Sequence, residues 1–264
     1  MSTDFDYLGD ALKGSRRSVL VVIFLIAISP ISSHSSEDPR LVFEVERWDY
    51  EEASFMSKTS KPALMGIAVE SYGLQGEQSR FYSLRGHLGR TNYRSISTGF
   101  LDSAPLYRLQ LEVGLKRPVN QSLDLLYGVG IRWLYDDAGG RLSSTGHASY
   151  DRESNYFYFP VGFRIPLGQG SLRAQCQFFV EGKQISHMTD IPGGSSNLSN
   201  KQTHGYGYEL TYQSDYALGI YVRYWSIGDS SIDQYLTASG PVKAYEPANS
   251  TMEVGLRWMF DNFD

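Results

Sequence analysis

The chain has 264 residues, of which 41% are hydrophobic, 14% aromatic and 20% charged, and its formal net charge is −5. The negative charge argues against a nucleic-acid partner. No apolar stretch reaches the roughly 18 to 20 residues that a membrane-spanning helix needs. Cys176 is the single cysteine, so the chain has no intramolecular disulfide.

The N-terminal segment has the features of an export signal. A basic pair, Arg16 and Arg17, precedes an apolar run over residues 19–28, and small serines follow that run. The run is too short to cross a membrane as a helix. We therefore predict that residues 1–35 are a cleaved signal peptide and that residues 36–264 form one mature domain. An uncleaved anchor is the alternative.

Ten segments of the mature domain show period-two alternation, which predicts β-strands. In the segment over residues 121–136, apolar side chains at odd positions oppose polar ones such as Asp124 and Arg132. Such alternation is longer than most strands of soluble proteins. Pro160 interrupts one segment, where we expect a bulge. The predicted strands lie near residues 41–54, 63–74, 79–91, 105–117, 121–136, 153–167, 170–186, 203–214, 215–228 and 250–260.

The connections between these segments fall into two alternating classes. Short ones lie at residues 74–79, 117–121, 167–170 and 213–216. Longer ones lie at residues 92–104, 137–152, 187–202 and 229–249, with a first hairpin at 57–62 on the same side. Because neighbouring antiparallel strands reverse direction, each class gathers at one end of the sheet. An even strand count places both chain ends with the short turns.

The last strand carries the most specific motif, since residues 253–260 read E-V-G-L-R-W-M-F. Its even-numbered positions are apolar, whereas its odd-numbered positions are mostly charged or small, as suits a strand between lipid and a polar lumen. The run resembles the C-terminal signal by which Gram-negative outer-membrane β-barrels are recognised for insertion. The resemblance is carried by Glu253, Gly255, Trp258 and Phe260. Residues 261–264 follow it here, whereas such signals usually end the protein.

The resemblance implies a fold, a location and partners. We expect an all-β, transmembrane, antiparallel up-and-down barrel of about ten strands, with eight or twelve as alternatives. The short turns would face the periplasm and the long loops the cell exterior. The expected partners are outer-membrane lipid, lipopolysaccharide and the barrel-assembly machinery, with a small solute or a surface ligand in addition.

The predicted inward side chains carry both signs of charge, which favours a lumen filled by ion pairs over an open path. A barrel of about eight strands is filled by side chains, and wide aqueous channels need about sixteen. Glu181 and Lys183 are also predicted to face inward. The candidate lumen-lining residues are Glu112, Asp124, Arg132, Arg164, Arg223, Glu253 and Arg257.

Two loop patterns resemble surface enzymes of the outer membrane. His147, Ser149 and Glu153 resemble the His-x-Ser arrangement of lipid A deacylases, which would need a base beside the serine. In the second pattern, Asp136 and Asp137 resemble the acidic pair of omptin proteases. His187 and Asp190 resemble the His–Asp pair of the same family.

Neither pattern fixes a catalytic residue. The histidines form no cluster with metal-ligand spacing, so we predict no metal site and no cofactor. The predicted function is a structural or surface-binding barrel with a largely filled lumen. A narrow porin-like channel and a rim enzyme are the alternatives.

Overall fold

The computed structural model describes residues 39–73, 77–194, 196–237 and 239–260. The predicted signal peptide and residues 261–264 lie outside these ranges. Within the described ranges there is no helix long and apolar enough to cross a lipid bilayer. The regular helical structure described is one 3-10 turn at Met188–Asp190.

Antiparallel strands make up the rest of the regular structure. β1 to β8 are Arg40–Glu52, Met56–Ser60, Leu64–Ser71, Ser79–Ser95, Gly99–Asn120, Leu123–Asp136, Arg152–Pro166 and Gly170–Ser186. β9 to β14 are Leu198–Gln202, Gly205–Ser214, Leu218–Ile227, Asp233–Thr237, Gly240–Ala244 and Asn249–Phe260.

These strands close into a ten-stranded antiparallel barrel, which confirms the predicted fold class and strand count. β2 and β3 together pair with β4 and form one barrel strand, and β9 and β10 together pair with β8 and form another. β14 closes the barrel on β1, in a register that runs from Leu41 opposite Phe260 to Glu52 opposite Asn249. β12 and β13 form a separate hairpin.

The two ends of the barrel differ as predicted. We call the end with the turns β3–β4, β5–β6, β7–β8 and β10–β11 the turn end, where β1 begins and β14 finishes. The opposite end carries residues 137–151, 187–194, 196–197, 228–237 and 239–248, and we call it the loop end.

An apolar belt surrounds the barrel, and the interior holds buried charged side chains together with a smaller number of buried apolar ones. Exposed apolar side chains outside and buried charges inside are the reverse of a soluble protein. On β6 and β14 the outward side chains Val129, Ile131 and Leu256 are 40%, 50% and 57% exposed. Towards the loop end the belt stops where outward side chains become polar, at Arg47 on β1 and at Asn155 on β7. The strands continue beyond it into the loops.

A β-bulge in β8 changes which side chains of that strand face the lumen. In the pairing of β7 with β8, Phe157 lies opposite Glu181 and Tyr158 opposite Phe179, so Val180 is an extra residue. The extra residue reverses the alternation beyond it. The prediction that Glu181 and Lys183 face the lumen is therefore wrong, because both are exposed on the outer surface.

Pro160 faces the lumen opposite Gln177 of β8. In the described pairing of β7 with β6, Val161 and Tyr158 have partners but the two residues between them have none. The ladder is therefore interrupted at Pro160, whose nitrogen cannot donate a hydrogen bond. The bulge itself lies in the neighbouring strand, near the expected position.

The loop end also contains more strand than predicted. Residues 57–62 were expected to form a hairpin, but β2 occupies most of that segment. β4 and β5 extend to residues 95 and 99, which shortens the expected loop over 92–104. Beyond the belt both faces of a strand meet polar surroundings, so hydrophobic alternation no longer marks it.

Candidate functional site

The interior of the barrel contains a continuous set of buried ion pairs between inward-facing strand positions. Arg223 lies 3.0 Å from Glu209 and 3.4 Å from Glu253. Arg85 lies 2.8 Å from Glu209, and its side chain is 1% exposed. We call this set the central network, and its members are Glu44, Glu46, Glu70, Arg85, Arg108, Arg132, Arg173, Glu209, Arg223, Glu253 and Arg257.

The central network spans the lumen from side to side. Arg132 on β6 lies 2.7 Å from Glu253 on β14, and Arg108 on β5 lies 2.6 Å from the same carboxylate. Nearer the turn end, Arg257 lies 2.6 Å from Glu70. Buried charges of this kind are tolerated only when they are paired. The ion pairs of the central network therefore have to stay formed in the folded barrel.

The other predicted lumen-lining residues are also buried, with one exception. Glu112 accepts hydrogen bonds from Tyr158 Oη at 3.0 Å and from Gln110 Nε2 at 3.1 Å. Asp124 lies 3.7 Å from Lys116. Arg164 is half-buried at the turn end, where it donates to the Gly73 carbonyl at 3.2 Å, and it belongs to a cavity considered below.

Two of the inward-facing glycines make room for aromatic rings. Gly130 lies opposite Tyr158 across β6 and β7, and a Cβ at Gly130 would overlap the tyrosine ring. Gly255 stands in the same relation to Tyr221 across β14 and β11. In both pairs the ring occupies the space above the glycine, which helps to fill the lumen.

A second cluster of charges closes the lumen at the loop end, beyond the apolar belt. Lys58 on β2 forms a buried ion pair with Asp136 on β6. Arg152 lies 2.8 Å from Glu52 and also pairs with Glu246, which belongs to the loop after β13. We call these five residues the loop-end cap.

Burial changes the titration of the loop-end cap. It raises the pKa of Glu246 to about 7, and the Glu52 carboxylate adds to the shift although the Arg152 guanidinium opposes it. Burial also lowers the pKa of Lys58 to about 7, and the charge on Arg152 contributes to that shift. Both groups therefore titrate close to neutral pH.

Sequence reasoning missed this cap. Lys58 lay in a predicted hairpin and Glu246 in a predicted loop, and a charged residue in a polar loop carries no pattern that distinguishes it from a solvated one. Arg152 and Glu246 are 94 positions apart, so no local spacing could link them.

Cavities remain at both ends of the barrel. One of about 160 Å³ lies at the loop end, where Lys58, Tyr93, Leu101, Asp136 and Tyr150 contribute to its wall. Another of about 220 Å³ lies at the turn end. The central network lies between them.

The loops at the loop end are tied to one another. Asp151 accepts hydrogen bonds from the Gly139 amide at 2.6 Å and from Tyr135 Oη at 2.5 Å. The Asp151 amide donates to Asp190 at 3.2 Å. Asn200 donates to the Ser231 carbonyl at 3.0 Å. These contacts give the loop end a defined surface.

The lipid A deacylase pattern is not assembled by the described contacts. The exposed His147 has Nδ1 2.8 Å from Thr145 Oγ1. Glu153 instead accepts a hydrogen bond from Trp133 Nε1 at 3.0 Å and lies 3.8 Å from His187. The nearby His187 side chain, together with the hydrogen bonds from Asn155 and Trp133, lowers the pKa of Glu153 to about 2, against the effect of burial.

The omptin-like pattern is divided between separate contacts. Asp136 pairs with Lys58 in the loop-end cap, and Asp190 accepts from the Asp151 amide. His187 contacts Glu153, and its ring meets the edge of Tyr135 at 6.4 Å. Among the described residues, no group of three or more His, Cys, Asp or Glu side chains could hold a metal ion.

No family model matches the chain, and no curated protein sequence matches it. The outer membrane protease OmpT from Escherichia coli aligns at 10% identity and a TM-score of 0.43, over 88% of this chain and 100% of that chain. An outer membrane channel from Pseudomonas putida aligns at 9% identity and a TM-score of 0.41, over 88% and 100%.

The translocator domain of the autotransporter NalP from Neisseria meningitidis aligns at 11% identity and a TM-score of 0.36, over 94% of this chain and 98% of that chain. Similarities at these identities and TM-scores do not assign a family or a function to this chain. The ten-stranded fold rests on the strand pairings themselves.

Proposed function

We propose that the chain is an integral outer-membrane β-barrel with a closed lumen, which acts by binding a ligand or partner at its loop end. The apolar belt around a polar interior supports insertion in a bilayer. The resemblance of residues 253–260 to the barrel-assembly signal supports the outer membrane and contact with lipopolysaccharide. On this proposal the loop end is extracellular and the turn end periplasmic.

The observation that carries the proposal is the central network. Arg223, Arg257 and Glu209 are 1%, 1% and 2% exposed. They lie on neighbouring strands, and the pairs Arg85–Glu209 and Arg132–Glu253 join strands on opposite sides of the lumen. A solute could pass only if several buried ion pairs separated, and breaking a buried pair typically costs about 3–5 kcal/mol. The loop-end cap adds a second closure above the network.

The loop end offers a surface for binding. Large apolar side chains are exposed on and beside the β12–β13 hairpin, where soluble proteins would rarely place them together. Ile232 is 70% exposed, Leu236 52% and Tyr245 48%. The hydrogen bonds between loops hold this surface in place before a partner arrives, which reduces the ordering cost of binding.

A narrow channel is the second candidate. It is favoured by the two cavities, which bring solvent-sized space to both faces of the central network. A channel would need a rearrangement of the network, whereas the binding role needs none. The binding role is therefore the primary proposal.

Cysteine labelling on whole cells tests the extracellular position of the hairpin. In a Cys176→Ser background, a membrane-impermeant maleimide should label Leu236→Cys on intact cells and leave Ser122→Cys, in the turn between β5 and β6, unlabelled until the outer membrane is opened. The reverse pattern, or a soluble protein after fractionation, would overturn the proposed location and orientation.

A further inference from the structure

A cavity in the loop end joins the protein surface to a buried ion pair. Its volume is about 160 Å³, and it reaches the surface at the exposed His147. Its buried wall includes Lys58 and Asp136, which are 8% and 6% exposed. We call it the loop-end cavity. It lies beyond the apolar belt, in the part of the barrel where we propose that a ligand or partner binds.

Part of the wall of the loop-end cavity is apolar. Leu101, Ala104 and Ala138 form a buried cluster, and the Tyr93 ring packs against it. All four of these side chains line the cavity. An apolar cavity of roughly 150 Å³ is large enough for one benzene molecule. The loop-end cavity can therefore hold an apolar body of about the size of one six-membered ring.

The ion pair in the wall leaves hydrogen-bonding groups unused. Asp136 pairs with Lys58 through Oδ2, whereas its Oδ1 is buried and has no hydrogen-bond partner in the protein. The described hydrogen bond of the Lys58 side chain goes to Asp136. An ammonium group has three N–H donors and a neutral amine has two, so Lys58 keeps at least one donor in either state. A ligand group that donates to Asp136 and accepts from Lys58 would remove the cost of these unpaired groups.

The charges of the wall favour a neutral ligand. Lys58 and Asp136 carry opposite charges and balance each other. Arg152, which also lines the cavity, is already held by Glu52 at 2.8 Å and by Glu246. A charged ligand of either sign would therefore meet a like charge in the ion pair. A hydroxyl group is neutral and both donates and accepts a hydrogen bond, which matches the unused groups of Asp136 and Lys58.

We propose that the loop-end cavity binds a small neutral alcohol or phenol. Its hydroxyl group would lie between Asp136 and Lys58, and its ring would pack against the apolar cluster that includes Leu101. Protein sites for small molecules combine mostly apolar walls with a few placed polar groups, and the loop-end cavity has this composition. The inference rests on the proposed binding role of the loop end and gives the ligand a chemical class.

Methionine-methyl NMR of the purified barrel in a neutral detergent, titrated with phenol, tests this proposal. Met56 lines the cavity, whereas Met252 is exposed in the apolar belt and reports the partition of phenol into the detergent. We expect a saturable shift of the Met56 methyl signal and a change at Met252 that does not saturate. Benzene, which has the ring without the hydroxyl group, should bind about tenfold more weakly because it leaves Asp136 Oδ1 unpaired.

A pair of variants tests the position of the site. Ala148 is half-buried in the cavity wall beside His147, so the ring of Ala148→Phe should obstruct the entrance and weaken phenol binding by at least about tenfold. Ala248→Phe is the matched control, since Ala248 is exposed at the loop end and does not line the cavity. It should leave the affinity unchanged. The absence of a saturable Met56 shift, equal affinities for phenol and benzene, or equal losses in the two variants would overturn the proposal.

The titration uses solubilised protein, so its result does not depend on membrane location or orientation. A saturable Met56 shift together with failed labelling of Leu236→Cys on intact cells would reject the proposed location and keep the cavity as a ligand site. Normal labelling without the Met56 shift would reject this ligand class and leave the location standing.

Discussion

The Arg223 guanidinium lies 3.0 Å from the Glu209 carboxylate at the centre of the barrel, and each group has further partners of opposite charge. Arg223 is also 3.4 Å from Glu253, and Glu209 is 2.8 Å from Arg85 and 2.5 Å from Arg173. One glutamate therefore pairs with three arginines from three other strands. Removal of the negative charge of Glu209 should therefore destabilise the folded barrel.

We expect Glu209→Gln to lower the free energy of unfolding by about 3–5 kcal/mol, because three buried guanidinium groups lose their shared partner. Urea unfolding in lipid vesicles, followed by tryptophan fluorescence, measures this effect. Glu181→Gln is the control, since Glu181 forms an exposed pair with Lys201 and should cost less than about 1 kcal/mol. Equal effects of the two changes would contradict the account of the central network.

The apolar belt gives a second prediction. Val129→Arg should reduce the stability of the inserted barrel by about 2–4 kcal/mol, because the charge lies in the middle of the lipid face. Asn155→Arg, also outward but beyond the belt, should have little effect. Yield of the heat-modifiable folded form on gels compares them. Equal yields of the two folded variants would contradict the placement of Val129 inside the apolar belt and Asn155 outside it.

The loop-end cap predicts a pH dependence. Glu246 has an ordinary pKa of 4.5 that burial raises to about 7, so between these values the closed loop binds more protons than the open one. The contribution of Glu246 to closure is therefore fully present below pH 4.5 and is lost as the pH rises through 7.

Hydrogen exchange measures this closure. After correction for intrinsic rates, amides of residues 239–248 should exchange faster at pH 6.5 than at pH 5, a range that lies below the titration of Lys58. Glu246→Gln, which keeps the side chain neutral, should remove the difference. A difference that persists in this variant would assign the pH dependence to another group.

The last strand gives a prediction about assembly. Phe260→Ala should lower the amount of protein in the outer membrane, because Phe260 belongs to the proposed insertion signal. Deletion of residues 261–264 should leave that amount nearly unchanged. Quantitative blotting of outer-membrane fractions compares the two. Loss of insertion after the deletion, with normal insertion of Phe260→Ala, would show that the signal lies elsewhere.

Much of the fold could be predicted from the sequence, because period-two alternation marks strands that face lipid on one side. The segments around Val129 and Phe163 show this alternation clearly, and both side chains lie outward as expected. The prediction failed at Lys183, because nothing in the sequence marks Val180 as an extra residue. It also missed the β12–β13 hairpin, whose short strands lack a one-sided apolar pattern.

The candidate site was harder to predict than the fold. The signs of the inward charges could be read from the alternation, but their partners could not. Arg257 and Glu70 meet from strands 187 positions apart, and Arg85 and Glu209 from strands 124 positions apart. Such contacts depend on barrel closure, which a single sequence specifies only indirectly. The loop-end cap depends in addition on how a long loop folds back over the lumen.

Single-channel recording in planar bilayers tests the closed lumen most directly. Co-flotation with lipid and heat-dependent gel mobility first establish that the purified barrel is folded and inserted. A closed lumen predicts no stable conductance steps for this protein. Stable steps whose size shifts on Arg132→Ala or Arg223→Ala would show that ions pass through the central network, and would contradict the closed lumen in favour of a channel.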